Sequence, residues 1–498
     1  MSPAFYKAAG SRLFATVSSL IAGIISLKLY SRYLKPEVYG VVLVALQIIN
    51  YLPLLDGGFR STVNRRLLAQ PDAVERKRLI RFCQVFYSFL AVSVLLSGAA
   101  LMTGYAFTPA ARASGESVFF FLTLGFAGAL TVIASIQIAL LVGLQAQGSL
   151  FLLTGLNSWT NLVAMWVCLH AGAGMWAFPL SLAAGLCVVY PTGLWLIRQR
   201  IPDVSFFSFR IDTEFRSNFR LLRRDAWSFF RSEVATILLY TIDVIAVGLV
   251  CGSRDAAVYG ILVRLFSIIR SFLQTSGEAA WPIIAHKGLD GSRFSTPLLR
   301  INAWVYGSVI GAVCPTLIPF CRWFLGDDWV SSPEVLYLVA ARYLVTGVAT
   351  PASYFLFGLG EIHSITRCIQ RELIAACITA FCLGMAFGMV GIVAGFLVAT
   401  AFGTLYPLPV AFVRVSGHST RNLLLQMWWR ALTGLLLGWV GAKYALSYFS
   451  IGSETVIAGL TGFVCGISGA LGIAAFRRPL SLPSAPVTTK VLALIKNL

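Results

Sequence analysis

Fourteen apolar stretches of about 20 residues, the length that carries a helix across a bilayer, follow one another along this chain. They lie near 13–31, 39–58, 82–107, 117–144, 150–170 and 174–197, then 227–252, 257–285, 298–321, 334–357, 364–387, 390–413, 425–448 and 454–476. Only 12% of the 498 residues are charged and 58% are hydrophobic, whereas a soluble chain is about 25% charged. A water-facing globule, a disordered chain and a collagen-like repeat are therefore excluded, and a polytopic all-α membrane protein remains. The apolar run after Lys7 and Arg12 is followed by Lys28 rather than by a small-residue cleavage site, so it is expected to be the first span and not a signal peptide.

The basic residues set the orientation, because segments rich in Lys and Arg stay cytoplasmic. With the N-terminus inside, 27 of the 39 fall in inside segments and six in outside loops, namely Arg32, Lys35, Arg112, Arg254, Arg322 and Lys443. That asymmetry predicts an even number of spans with both termini cytoplasmic. It also accounts for the net charge of +19 through topology and attraction to anionic lipids, without nucleic acid. The segment from Arg198 to Asp225 is the longest polar stretch, with Phe215, Phe219 and Leu222 at helical spacing among arginines. Such a stripe suits a helix lying on the inner leaflet, and it suits equally a basic tether between two halves.

Short fragments recur at a nearly constant offset. Val38-Tyr39-Gly40 opens the second span and Val258-Tyr259-Gly260 the eighth; Gly143-Leu144 and Gly358-Leu359 close the fourth and tenth; Tyr190-Pro191 and Tyr406-Pro407 lie in the sixth and twelfth. The pattern predicts two six-span lobes in parallel repeat, with a cavity between lobes that rock for alternating access. The expected divisions are an N-lobe at 1–197, a basic linker at 198–226, a C-lobe at 227–415, and an appended pair of spans with a cytoplasmic tail at 416–498.

Ionisable groups at membrane depth are costly unless they meet water, a partner or a substrate. Lys28, Arg264, Arg270 and Arg342 are the deep cations, and they are expected to line a cavity for a phosphate, diphosphate or acidic sugar, to which arginine offers forked hydrogen bonds. Arg264 and Arg270 stand about 240° apart around a helix, which leaves one of them to pair with Asp243. Asp243 and Asp56 are the candidate counter-charges or gating groups. Gln47, Asn50, Asn157 and Asn161 are candidates for helix-to-helix hydrogen bonding or for contacts to sugar hydroxyls. Ten cysteines lie mostly within apolar stretches without a Cys-x-x-Cys pair, and four histidines are dispersed. No catalytic group, metal or cofactor is expected, and the cysteines read as small buried hydrophobes.

The stretch Tyr33-Leu34-Lys35-Pro36-Glu37-Val38-Tyr39-Gly40, a span ending Leu55-Asp56-Gly57-Gly58-Phe59, and the basic Asn64-Arg65-Arg66 together resemble the polysaccharide transporter family. These are Wzx-type flippases of the multidrug/oligosaccharidyl-lipid/polysaccharide exporter superfamily. The resemblance implies a bacterial inner-membrane protein that moves an undecaprenyl-diphosphate-linked oligosaccharide between leaflets, working beside membrane lipids and the polymerase and chain-length machinery of its pathway. A multidrug antiporter of the same superfamily would share the fold but is expected to place acids in the N-lobe cavity, where the first span offers Lys28 and no acid. A membrane-embedded polymerase or ligase would need a larger outside loop or paired catalytic carboxylates. The outside loops here are short, and Asp327-Asp328 stands without a further ligand nearby.

Overall fold

The computed structural model describes residues 3–69, 73–143, 146–199, 211, 213–287, 289–416 and 420–448. The first half runs through α1 (Pro3–Tyr33), α2 (Pro36–Ile49), α3 (Phe59–Ala69), α4 (Ala73–Ala106), α5 (Pro109–Ala113), α6 (Val118–Gly143), α7 (Gln147–His170) and α8 (Ala177–Arg198). The second half comprises α9 (Thr213–Val250), α10 (Ser253–Lys287), α11 (Leu289–Leu325), α12 (Pro333–Gly358), α13 (Ile362–Thr400), α14 (Pro407–Ser416) and α15 (Thr420–Tyr448). The described residues are all-α, and the protein is a multi-pass membrane protein: ten described segments are long and apolar enough to cross a bilayer. One of them, Ile362–Val415, has 54 residues, length enough for two crossings, and its backbone leaves the helical region at Gly388 (φ 58°, ψ −135°). That break falls between the expected eleventh and twelfth spans. The expected fourteenth span, 454–476, lies outside the described residues.

Local sequence explains the element ends. Lys35 is extended, Pro36 pre-sets the first turn of α2, and Glu37 sits where the helix dipole favours an anion. A 3-10 turn at Leu52–Asp56 then ends on Gly57 in the left-handed region (φ 61°), which glycine adopts without steric cost. At α5 the Thr108 hydroxyl accepts the Ala111 N–H at 3.3 Å, the usual repair of an orphan donor at a helix start.

Packing sorts the helices. In the first half α1 lies on α7, α7 on α8, α8 on α6 and α6 on α4; in the second, α9 lies on α13 and α10 on α12, while α11 and α13 also flank α12. The two sets meet chiefly where α2 packs on α10 and α9. That seam is made by the repeated tripeptides. A Cβ added at Gly40 would stand 1.7 Å from the Ser253 carbonyl oxygen, and one at Gly260 would stand 2.0 Å from Leu43 Cδ2, so each glycine lets the opposite helix close in. Beside them, Tyr39 stacks on Tyr30 (4.9 Å between centroids) and tilts against Trp329 (5.7 Å).

Loops from both halves gather at this end. Arg254 reaches Glu37 (3.9 Å) and Asp328 (3.6 Å), and Arg322 reaches Asp327 (3.6 Å), so the Asp327-Asp328 acids are engaged by arginines. At the opposite, basic end Arg66 pairs with Asp225 at 3.3 Å, and Gly58 presses on α9, where an added Cβ would lie 2.3 Å from the Ala226 oxygen.

Two features go beyond the sequence expectation. First, α9 runs unbroken through position 226, so the second part of the expected linker and the seventh span are one helix. Its apolar stripe turns to protein rather than to a leaflet: Phe215 stacks on Phe82 (5.1 Å), Phe219 on Phe59 (5.2 Å), and Leu222 is fully buried among α3 and α4 side chains. Second, α15 is bound tightly to α11. Gly307 and Gly311 meet the carbonyls of Ala431 and Leu435, and Gly434 and Gly438 meet those of Trp304 and Ser308. Paired Gly-x-x-x-Gly faces of this kind let two backbones approach closely in lipid.

Candidate functional site: four cations and their surroundings

Asp243 of α9 stands at the centre of a buried polar cluster. Its Oδ1 accepts the Val244 N–H at 2.8 Å. Its Oδ2 accepts Arg342 Nη1 from α12 at 2.6 Å and the Tyr259 hydroxyl from α10 at 2.9 Å. Arg342 Nη2 donates in turn to the Leu239 carbonyl at 3.3 Å, and the guanidinium lies 4.7 Å from the Phe396 ring centroid. Both charged side chains are almost inaccessible, at 6% and 2% of their surfaces. A buried pair with its lone pairs and protons matched is tolerated, whereas either partner alone would be an uncompensated charge. Asp243 thus pairs with Arg342, not with Arg264 or Arg270 as helix geometry suggested. Arg342 is engaged in this pair and buried.

Arg270 is held differently. Its guanidinium lies 4.3 Å from the Tyr240 ring centroid and 5.6 Å from that of Tyr343, positions where the negative ring faces attract a cation. Tyr343 is fixed by Ser267 (2.8 Å), and the Tyr306 hydroxyl donates to the Arg270 carbonyl at 3.2 Å. Its Nε is buried without a hydrogen-bond partner. The aromatic cage surrounds the charge and leaves this buried donor without a partner.

Arg264 and Lys28 are the accessible cations. Arg264 is exposed on α10 beside α1, where a Cβ at Gly23 would stand in ordinary contact with its Nη2 at 3.8 Å. Lys28 is exposed on α1, donates to the Phe324 carbonyl and lies 5.3 Å from that ring. α1 packs against α10 and α11, so both cations stand where the first-half helices meet the second.

The remaining candidates are dispersed. Asp56 is buried at the basic end, where its Oδ1 accepts the Gly58 N–H at 2.7 Å and its Oδ2 lies 3.8 Å from Arg60 Nε. It ties down the Gly57-Gly58 turn. The neighbouring Ser61 hydroxyl donates to Glu233 of α9 at 2.5 Å. Asn50 donates to Gln47 at 3.0 Å, with Asn50 exposed and Gln47 half-buried at the end of α2. Asn161 donates to Asn157 at 3.3 Å, and both amide oxygens crowd Gly185, 2.2 and 2.7 Å from where its Cβ would be. These two asparagines pack α7 on α8.

Sequence reasoning missed the tyrosines 240, 259 and 343, which are unremarkable in an apolar helix until their neighbours are known. It also missed Glu372 of α13. This side chain is buried (1% exposed), accepts the Thr404 hydroxyl, and packs on the single π-turn at Ala401–Leu405. Its signal, an acid about three turns into an apolar helix, is masked by Arg367 and Arg371.

The family described as "Polysaccharide biosynthesis protein" matches over residues 6–286, more than half of the chain and inclusive of α1, α2, α9 and most of α10. The chain belongs to the polysaccharide biosynthesis protein family. Its fold is shared with "Lipid II flippase MurJ, inward closed conformation", at 13% identity over 93% of this chain and 100% of the other, with a TM-score of 0.68. An inward-facing MATE-family multidrug resistance transporter of the MOP superfamily aligns at 15% identity over 83% of this chain and 95% of that one, TM-score 0.57. A Vibrio cholerae MATE transporter aligns at 13% over 85% and 98%, TM-score 0.55. No curated protein matches the chain. At these identities the likeness is one of fold. Within that fold this member of the polysaccharide biosynthesis family carries one neutralised cation, one caged cation and two open ones.

Proposed function

We propose that this protein is a flippase that moves an undecaprenyl-diphosphate-linked oligosaccharide repeat unit across the bacterial inner membrane, for exopolysaccharide, capsule or O-antigen synthesis. The observation that carries the reading is the pairing of two accessible cations, Lys28 and Arg264, on α1 and α10 where the two sets of helices meet. A diphosphate head group brought to that place finds fixed positive charge and a forked donor, while its lipid tail stays in the bilayer. Arg270 stands six residues along α10, its guanidinium held against the Tyr240 and Tyr343 rings, a second station for the same anion. The two helix sets then act as lobes that rock about the α2–α10 seam, opening the cavity to each side in turn. The basic segments give the orientation, with both termini cytoplasmic. Family membership and the flippase and transporter relatives support this reading over a membrane-embedded polymerase or ligase.

Purified protein in liposomes loaded with undecaprenyl-diphosphate-linked oligosaccharide tests it, with leaflet exposure read by a membrane-impermeant lectin or glycosidase. Wild type is expected to expose the inner pool. Arg264→Ala and Lys28→Ala are each expected to slow exposure by about tenfold or more, as loss of a charge-assisted contact predicts, while inserting normally. Full-rate exposure in both variants rejects the cationic path. Lengthening or transfer of the oligosaccharide without exposure replaces the flippase reading with an enzymatic one.

A further inference from the structure

The α11–α15 seam carries polar atoms that the protein itself does not satisfy. Arg300 Nε, Trp304 Nε1 and Ser308 Oγ on α11 and Gln426 Oε1 on α15 are all buried without hydrogen-bond partners. Arg300, Trp304 and Ser308 recur every fourth residue and so form one stripe, and Gln426 and Arg430 form another. The helices run side by side in the same direction, with Gly307 against Ala431 and Gly311 against Leu435. In that register the two stripes border the same edge of the seam. It is the edge turned away from α12, because Asn302 and Tyr306, on the far side of α11, are bonded to the carbonyls of Gly347 and Arg270. Ile301 beside it, and Leu425 and Trp429 across from it, are exposed, so this edge opens toward the bilayer.

Its charge is one-sided. Neither 299–325 of α11 nor 420–448 of α15 contains an Asp or Glu, while Arg300 and Arg430 stand on the two stripes. Arg300 lies at the basic end of its span and Trp304 one turn deeper. Buried donors without a partner cost several kcal/mol each, a cost that a lipid head group removes when the side chains turn to the open edge. We infer that this seam is a binding site for an anionic phospholipid of the leaflet on the basic side. The phosphate accepts from Arg300, with Arg430 adding charge, and the ester carbonyl, one step deeper in the bilayer, accepts the Trp304 indole N–H. Basic pockets between transmembrane helices hold phosphate head groups by the same charge-assisted bonds, and an indole at this depth is at home in the interface.

Native mass spectrometry of the full chain, released from nanodiscs of equal phosphatidylglycerol and phosphatidylcholine, reads the site directly. Wild type is expected to retain phosphatidylglycerol over phosphatidylcholine. R300Q is expected to lower that preference by about tenfold and W304F, which keeps the ring and removes the donor, by about threefold, the sizes of a charge-assisted and a neutral hydrogen bond. W304F keeps the test decisive should R300Q unfold. An unchanged preference in the folded variants, or equal retention of the two lipids by wild type, overturns the inference. So does displacement of phosphatidylglycerol by an equal concentration of undecaprenyl diphosphate, which would assign the seam to the transported lipid instead.

Discussion

The two copies of Val-Tyr-Gly occupy matching places in the chain and face each other across the α2–α10 seam, yet their tyrosines serve different chemistry. Tyr39 lies in an aromatic stack with Tyr30, Phe178 and Trp329, and Tyr259 donates to Asp243 beside the Arg342 guanidinium. The glycines differ too: Gly40 meets backbone and Gly260 meets the tip of a leucine side chain. The shared tripeptide therefore marks where the two helices cross and leaves open what is built around the crossing. In the second copy a buried ion pair has been built.

Removing that pair is expected to have the largest effect. Arg342→Ala or Asp243→Ala strands a buried charge and should cost about 3–5 kcal/mol, seen as a lowered midpoint in thermal unfolding of the solubilised protein. The Asp243→Ala/Arg342→Ala double variant should be less destabilised than the sum of the two; simple additivity would show that the pair is not coupled. Next in size is Gly40→Ala, which has only the Ser253 carbonyl to displace and should cost about 3 kcal/mol, against about 1 kcal/mol for Gly260→Ala, where Leu43 can turn aside. Equal losses would remove the asymmetry from the seam. Smallest is the hydroxyl: Tyr259→Phe should cost about 1–2 kcal/mol by leaving a carboxylate lone pair unmet, and Tyr39→Phe less than about 0.5 kcal/mol. The same unfolding measurement reads both, and a Tyr39→Phe loss as large as that of Tyr259→Phe would erase the distinction between the copies.

Much of the fold was legible because hydrophobic length is a local signal. The ten described segments of spanning length and the break near Gly388 needed only the sequence order. Partner choice was not local. Helix geometry correctly said that Arg264 and Arg270 face different ways, but nothing in α9 or α10 announces that Arg342, 99 residues from Asp243, completes the pair. The stripe Phe215-Phe219-Leu222 was visible, but an amphipathic helix has the same pattern whether its apolar face meets lipid or Phe59 and Phe82. Asn157 and Asn161 share a face, as their spacing required, and the neighbour they crowd is Gly185. Glu372 was hidden by adjacent arginines, and the α11–α15 contact by glycines too ordinary in an apolar helix to be noticed singly.

The Asp243–Arg342 pair also has an electrical consequence. Moving one elementary charge through the whole membrane field is worth about 2.3 kcal/mol per 100 mV, but a carboxylate and a guanidinium 2.6 Å apart move together as a dipole with no net charge. Displacement of the pair as a unit is therefore nearly silent to voltage. The membrane potential acts instead on Arg264, Arg270 and Lys28, and oppositely on any anion they hold, so loading the site lowers the charge that the field can drive.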